Sequence, residues 1–360
     1  MVSNIVLAGP TLDRALALVR FGLIAAKPSD IKQLDRQTCS GSQRLFKEVC
    51  EQAPTEVQRL LATCPVHVMV ADRRDRRSDG MVRHLCETAL PDGSFLQLCN
   101  GVLVPAWPYY YLLKCREMPS LSERLMLGME LCGSYGHAIV GDRSTGAFYR
   151  KPRRGADGKL FTTWNSPKIK QATTIDELRN YVDQAPGVKG VVRAKEALRY
   201  VLDGSASPTE SALALMATLP CKLGGYGFAG MELNPEVTVP AEKRHLTRFD
   251  SYHPDGYLRA LETDLEYESN ERHTGAAAVM RDKARRNDIQ ALGIEVKDVT
   301  WEMLSHVGSL DLLFEQLLEK EFAMGLDSRR KHRRAVRNPD NRARRVVRLG
   351  ELLPPLPYEE

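Results

Sequence analysis

The sequence predicts a mixed α/β (α+β) protein whose second half contains a core ordered helix, strand, strand, helix, strand. Three observations carry that prediction. Capped helical stretches alternate with short β-branched runs, and an Asn-Gly step separates two apolar runs within 95–106. A regularly alternating segment, 261-LETDLEYES-269, is followed by a polar helical stretch and then another β-branched run.

The elements follow in order. Residues 66-VHVMVA-71 read as a strand from continuous apolarity and β-branching. In 95-FLQLCNGVLVPA-106, Asn100-Gly101 supplies the φ > 0 turn that a hairpin needs. Ser120 with Glu123 forms a capping box for a helix over 121–133. The Gly, Arg and Lys content of 141–161 suggests a long hairpin or linker, which puts a domain boundary near 165–172. Thr174 with Glu177 caps the next helix, and another over 190–204 ends at Gly204. Ser207, Pro208 and Glu210 start a helix through Leu219. The turn 224-GGYGFAG-230 leads to strands at 245–252 and 261–269, then to a helix over 274–292 and a strand over 293–300. The expected division is 1–168 for a mixed α/β N-terminal domain, 169–327 for the second domain and 328–360 for a basic tail.

Composition narrows the function classes. The chain has 360 residues, 43% hydrophobic and 27% charged, enough to bury a core. No apolar run approaches the ~20 residues of a membrane span, and no signal-peptide pattern is visible, so a cytoplasmic protein with no membrane partner is expected. The eight cysteines contain no C-x-x-C pair and read as reduced thiols. From Arg329 onward the chain carries ten Lys/Arg against four Asp/Glu, whereas the residues before it are nearly balanced. The positive excess, led by Arg329, Arg330 and Lys331, suits a phosphate backbone; a solvated helix is the other reading.

On a strand, Glu262, Asp264, Glu266 and Glu268 share one face. Like charges so placed repel, which favours either an exposed edge or a cation among them. Asp250, 16 residues before Glu266, is expected beside it through a hairpin, and Glu210 opens the preceding helix. Carboxylates converging from a helix and two strands suit Mg²⁺ or Mn²⁺. In this reading Glu262 and Asp264 are exposed neighbours of the site.

The landmarks 207-SPTES-211, 248-RFD-250, 265-LEYES-269, His273, 282-DKARR-286 and 293-GIEVKDVT-300 resemble the PD-(D/E)xK nuclease superfamily, in its very-short-patch-repair-like endonuclease branch. A looser similarity, through 66-VHVMVADRRDRR-77 and 131-LCGSYG-136, links the first half to AbiEi-type abortive-infection proteins. The resemblance implies a restriction-endonuclease-like core, a metal-dependent DNA endonuclease, and a setting in phage defence or a toxin–antitoxin-like system. It makes Asp250 the superfamily's aspartate and Glu266 the acidic residue of the second motif. Glu268 stands where many members carry a lysine, although members of this branch often have an acidic residue there. Asp250, Glu266 and Glu210 are then the metal ligands, with Glu268 beside them in the catalytic set. His273, Arg285, Arg286, Arg329, Arg330 and Lys331 are the candidate DNA contacts.

Each assignment has a competing reading in the residues themselves. Glu210 is also the third residue of a capping box, and Arg285 and Arg286 have the spacing of helix-surface ion pairs with Asp282. A nuclease fold that binds nucleic acid or regulates transcription without cleaving it is the alternative function. The sequence identifies no protein partner.

Overall fold

The computed structural model describes residues 4–31, 34, 39, 42–62, 65–71, 80–86, 89–136, 152–154, 160–162, 169–268 and 276–353. The architecture is mixed α/β, and the chain divides into two compact units. The first comprises residues 1–124, 136–153 and 166–199, and the second comprises 125–135, 154–165 and 200–360.

The first unit is built on a mixed sheet. Its strands are β1 (Ile5–Leu7), β2 (Lys27–Pro28), β3 (Val66–Val70), β4 (Met81–Leu85), β5 (Phe95–Cys99) and β6 (Val102–Pro105), in the order β2-β5-β6-β1-β3-β4. The expected Asn-Gly hairpin joins β5 to β6, and the strand expected at 66–71 is β3. Helices α1 (Gly9–Arg20), α2 (Gln43–Gln52) and α3 (Thr55–Leu61) contribute Leu12, Leu16, Val49, Val57 and Leu61 to its core. Helix α4 (Trp107–Glu117) buries Tyr109 and Tyr111, so the aromatic run 107–111 serves packing. Helix α5 (Leu121–Leu131) begins where the Ser120–Glu123 box places it, the Ser120 amide donating to Glu123 at 3.3 Å.

Of the 141–161 stretch, only the short paired strands β7 (Pro152–Arg154) and β8 (Leu160–Thr162) are described. Helices α6 (Ile175–Gln184) and α7 (Val191–Leu198) lie in the first unit rather than with the residues after 200. The Tyr181 hydroxyl meets Ser94 Oγ at 2.7 Å, and the Arg124 guanidinium meets Glu196 at 2.8 Å. Helix α7 stops six residues before Gly204. That glycine instead turns at φ +91, where an added Cβ would lie 2.5 Å from the Leu233 carbonyl oxygen.

The second unit opens with α8 (Pro208–Thr218), whose first ten residues are all buried. Its sheet contains β9 (Met231–Leu233), β12 (Gly256–Leu258), β13 (Thr263–Glu268) and β14 (Glu295–Thr300), ordered β14-β13-β12-β9. A separate pair, β10 (Val237–Thr238) and β11 (Ser251–Tyr252), lies between β9 and β12 in the chain. Strands β9, β12 and β13 form an antiparallel meander, and α9 (Ala276–Ala291) then returns the chain so that β14 runs parallel to β13. The core order is helix, three strands, helix, strand, one strand more than the sequence suggests.

The expected strand over 245–252 is mostly absent. A 3₁₀ turn covers Ala241–Leu246, and only Ser251 and Tyr252 pair, with β10. Between them, the Arg248 guanidinium grips Asp288 with both ends of its fork, at 2.9 and 3.0 Å. Tyr252 is buried and Phe249 packs half-buried against the same core cluster, a spacing of three that does not supply the period-two apolar face of a longer strand.

The described part of the basic C-terminal segment is helical. After α10 (Trp301–Leu304) and α11 (Val307–Ala323) come α12 (Lys331–Arg337) and α13 (Pro339–Leu352). Arg345 of α13 is 1% exposed, lies 4.0 Å over the Tyr226 ring and meets Asp311 of α11 at 2.6 Å. None of the seven described cysteines is in a disulfide, and no helix among the described residues is long and apolar enough to cross a membrane.

Candidate functional site

Strand β13 carries its carboxylates as the alternation predicts, with one change. Glu262 precedes the strand in a left-handed turn at φ +46, which leaves Asp264, Glu266 and Glu268 on the shared face. The other face carries Thr263, whose Oγ1 accepts from Lys320 of α11 at 2.9 Å. The acidic face is covered by α9. Arg285 meets Glu266 at 3.3 Å, and Arg286 meets Glu268 at 3.1 Å and closely pairs with Asp298 of β14. Asp298 sits opposite Glu266 in the parallel pairing, so the two arginines span a sheet face bearing four carboxylates.

Asp250 is not part of this arrangement. It ends the stretch before β11, its side chain is 86% exposed, and its nearest cation is Arg244 at 3.8 Å. The strand that pairs with the acidic strand is β12, in the register Gly256↔Leu265, Tyr257↔Asp264 and Leu258↔Thr263. Continuing that register by one step puts Asp255 opposite Glu266. Asp255 Oδ2 accepts from the Tyr267 amide at 2.9 Å, which orients its carboxyl along β13. Asp255, which the sequence reading passed over, therefore occupies the position expected of Asp250.

Asp264 is the second correction. Far from being an exposed neighbour, it is 0% exposed, between Tyr257 on β12 and Val296 on β14. No N–H or O–H group of the described residues donates to either of its carboxyl oxygens, its close neighbour being the Glu266 carboxylate, and the buried Tyr252 hydroxyl has no partner. Burial, reinforced by the charges of Glu266 and Asp255, pushes the Asp264 carboxyl up to about 9. At neutral pH it holds its proton.

Glu210 is the third residue of α8, and Ser207 Oγ accepts its amide at 3.1 Å. Its carboxylate accepts from Ser207 Oγ at 2.9 Å, the Ala206 amide at 2.8 Å and Asn234 Nδ2 at 3.0 Å. It thus serves as a cap. It also lies near the strand carboxylates, because the Asn234 amide donates to the Asp255 carbonyl at 3.2 Å. Burial and the Asp255 charge push Glu210 up to about 7, against the hydrogen bonds that favour its ionised form.

Oxygen donors of this kind suit a hard divalent cation. Asp255 and Glu266, level with each other by extension of the register and backed by the buried Asp264, match that chemistry. The face is nevertheless held by Arg285 and Arg286, and among the described residues no three His, Cys, Asp or Glu side chains are gathered as a metal cage. His273 and the side chain of Asp282 lie outside the described residues. Arg329, Arg330 and Lys331 are exposed at the start of α12. No known protein family, curated protein or solved structure matches the chain.

Proposed function

We propose that the second unit is a metal-dependent phosphodiester hydrolase acting on DNA, with Asp255 and Glu266 as the residues that would hold Mg²⁺ or Mn²⁺. The observation that carries this reading is Asp264: a wholly buried carboxyl that no donor group reaches, set against the Glu266 and Asp255 carboxyls. Proteins seldom gather carboxyls around a buried one without a compensating group. The order of helix, three strands, helix and parallel strand, together with the resemblance drawn from the sequence, supports the same reading. When bound, such a cation supplies charge neutralisation at phosphate and acidifies water.

The chain's own residues prepare the site for that task. Tyr267, through its amide, orients Asp255, and Asn234 ties the Asp255 turn to Glu210. Arg285 pairs with Glu266 until a stronger cation competes for it, and Asp264 holds a proton that it can release when positive charge approaches. Glu268 stays paired to Arg286, beside Asp298. The similarity of the first half to abortive-infection proteins suggests phage defence or a toxin–antitoxin-like system as the setting.

Plasmid and oligonucleotide DNA incubated in Mg²⁺ or Mn²⁺ provide the test. Cleavage is expected from the wild type and not from Asp255→Asn, which retains an acceptor for the Tyr267 amide. Equal inertness, or equal activity, across substrates would overturn the hydrolytic reading. A second reading is a nuclease-like fold that binds nucleic acid or regulates transcription without cleavage. Arg285 and Arg286, which neutralise the acidic face, favour it; metal-independent, salt-dependent DNA binding without cleavage is its signature.

A further inference from the structure

The basic C-terminal segment separates into arginines used by the fold and arginines left over. Arg345 and Arg342 both bind Asp311, and Arg348 binds Glu351 and the Leu223 carbonyl. Four others stand together at α12: Arg330 at its N-cap, and Arg333, Arg334 and Arg337 within the helix. With Asn338 they line a cleft of about 270 Å³.

The charges in that cleft do not balance. Arg333 meets Glu315 at 2.6 Å and pairs closely with Glu319, and Arg337 also pairs with Glu315. Among the described residues, Arg330 and Arg334 have no carboxylate partner. Arg330 takes a left-handed backbone at φ +51 and stacks its guanidinium 4.1 Å over the Phe322 ring, which holds it at the mouth of the cleft. Glu315 lies between Arg333 and Arg337 and offsets their repulsion, whereas Arg330 and Arg334 bring two further positive charges to the cleft with no such carboxylate among the described residues.

We infer that this cleft binds the phosphodiester backbone of a nucleic acid, with Arg330 and Arg334 as its main contacts. Guanidinium forks match phosphate oxygens in pairs, and two forks lining one cleft can take neighbouring phosphates of a strand. The inference rests on the nucleic-acid part of the proposed function and not on hydrolysis.

The experiment measures fluorescence anisotropy of a labelled duplex with the full chain, in chelator, across a salt series. The Arg330→Ala/Arg334→Ala double variant should bind about tenfold more weakly, with a salt slope lower by roughly two, because each lost phosphate contact removes about 0.9 from it. Arg44→Ala/Arg59→Ala, which removes the same charge from exposed positions in the first unit, should bind as wild type does. Unchanged affinity and slope in the double variant overturn the cleft, as does a wild type that binds no duplex. Equal displacement by polyglutamate and by unlabelled duplex at matched charge also overturns it, in favour of an unspecific polyanion surface. Cleft-dependent binding without Mg²⁺-dependent cleavage supports the cleft and sinks only the hydrolytic reading.

Discussion

Asp255 stands one register step before the Gly256–Leu265 pair, level with Glu266, and its carboxyl accepts from the Tyr267 amide. This relationship distinguishes two aspartates only five residues apart. Asp250→Ala should leave divalent-dependent cleavage and Mn²⁺ affinity within about twofold of wild type, since the side chain is solvated and only loosely paired. Asp255→Asn should lower Mn²⁺ affinity at least tenfold, about 1.4 kcal/mol or more. Calorimetric titration of both variants decides the point, and equal affinities would remove Asp255 from the site.

Asp264 gives the second unit a pH signature. Its folded pKa is raised, so its contribution to stability is fully present below the ordinary carboxylate value of ~4 and declines as pH rises toward about 9. Asp264→Asn removes that titration. The variant should melt several degrees above wild type at about pH 8 and close to it at about pH 4.5. A difference in melting temperature that does not change with pH would mean that the carboxyl is not held protonated.

Arg345 predicts how far the C-terminal helices belong to the fold. Arg345→Ala leaves a packing gap over Tyr226 and weakens the tie to Asp311, at a cost of about 3–5 kcal/mol. Arg345→Lys should recover little, because an ammonium cannot stack on the ring while reaching both Asp311 and the Val336 carbonyl. Urea unfolding followed by Trp301 and Trp164 fluorescence measures both variants; a loss below about 1 kcal/mol in Arg345→Ala would show α13 to be dispensable.

In the first unit, His67 Nδ1 meets His84 Nε2 at 2.9 Å with the rings stacked, against Gly9. Burial first, then Arg14 for His67 and the His67 charge for His84, lowers both pKa values. Depressed values mean that this stability is present above ~6.5 and is lost as pH falls, when the unfolded chain takes up protons that the folded pair refuses. Thermal melts should therefore fall between about pH 7 and pH 5, and His84→Phe should flatten that decline. A wild-type melting curve unchanged over this range would rule the effect out.

What could be read from the sequence followed local chemistry. The Asn100-Gly101 hairpin, the Thr174–Glu177 box and the Ser207 cap each have a short-range signature, and each element starts where that signature lies. The partner of the acidic strand had none. The turn joining β12 to β13 is Arg259-Ala260-Leu261-Glu262, with no Gly, Asn or Pro, and its left-handed position is filled by a glutamate. Without a visible turn, 245–252 is the nearest stretch with strand character, and it points to Asp250 instead of Asp255. The burial of Asp264 was hidden for another reason: alternation gives the face of a sheet on which a residue lies, but not what covers that face.

The same inconspicuous turn sets a rule for tolerated change. Strand pairing repeats every two residues, so adding or deleting one residue between Leu258 and Thr263 would shift the β12–β13 pairing and part Asp255 from Glu266. Substitutions at Arg259 or Ala260 leave that spacing intact. Across variants of this chain, the four-residue turn should accept changes of residue identity far more readily than changes of length.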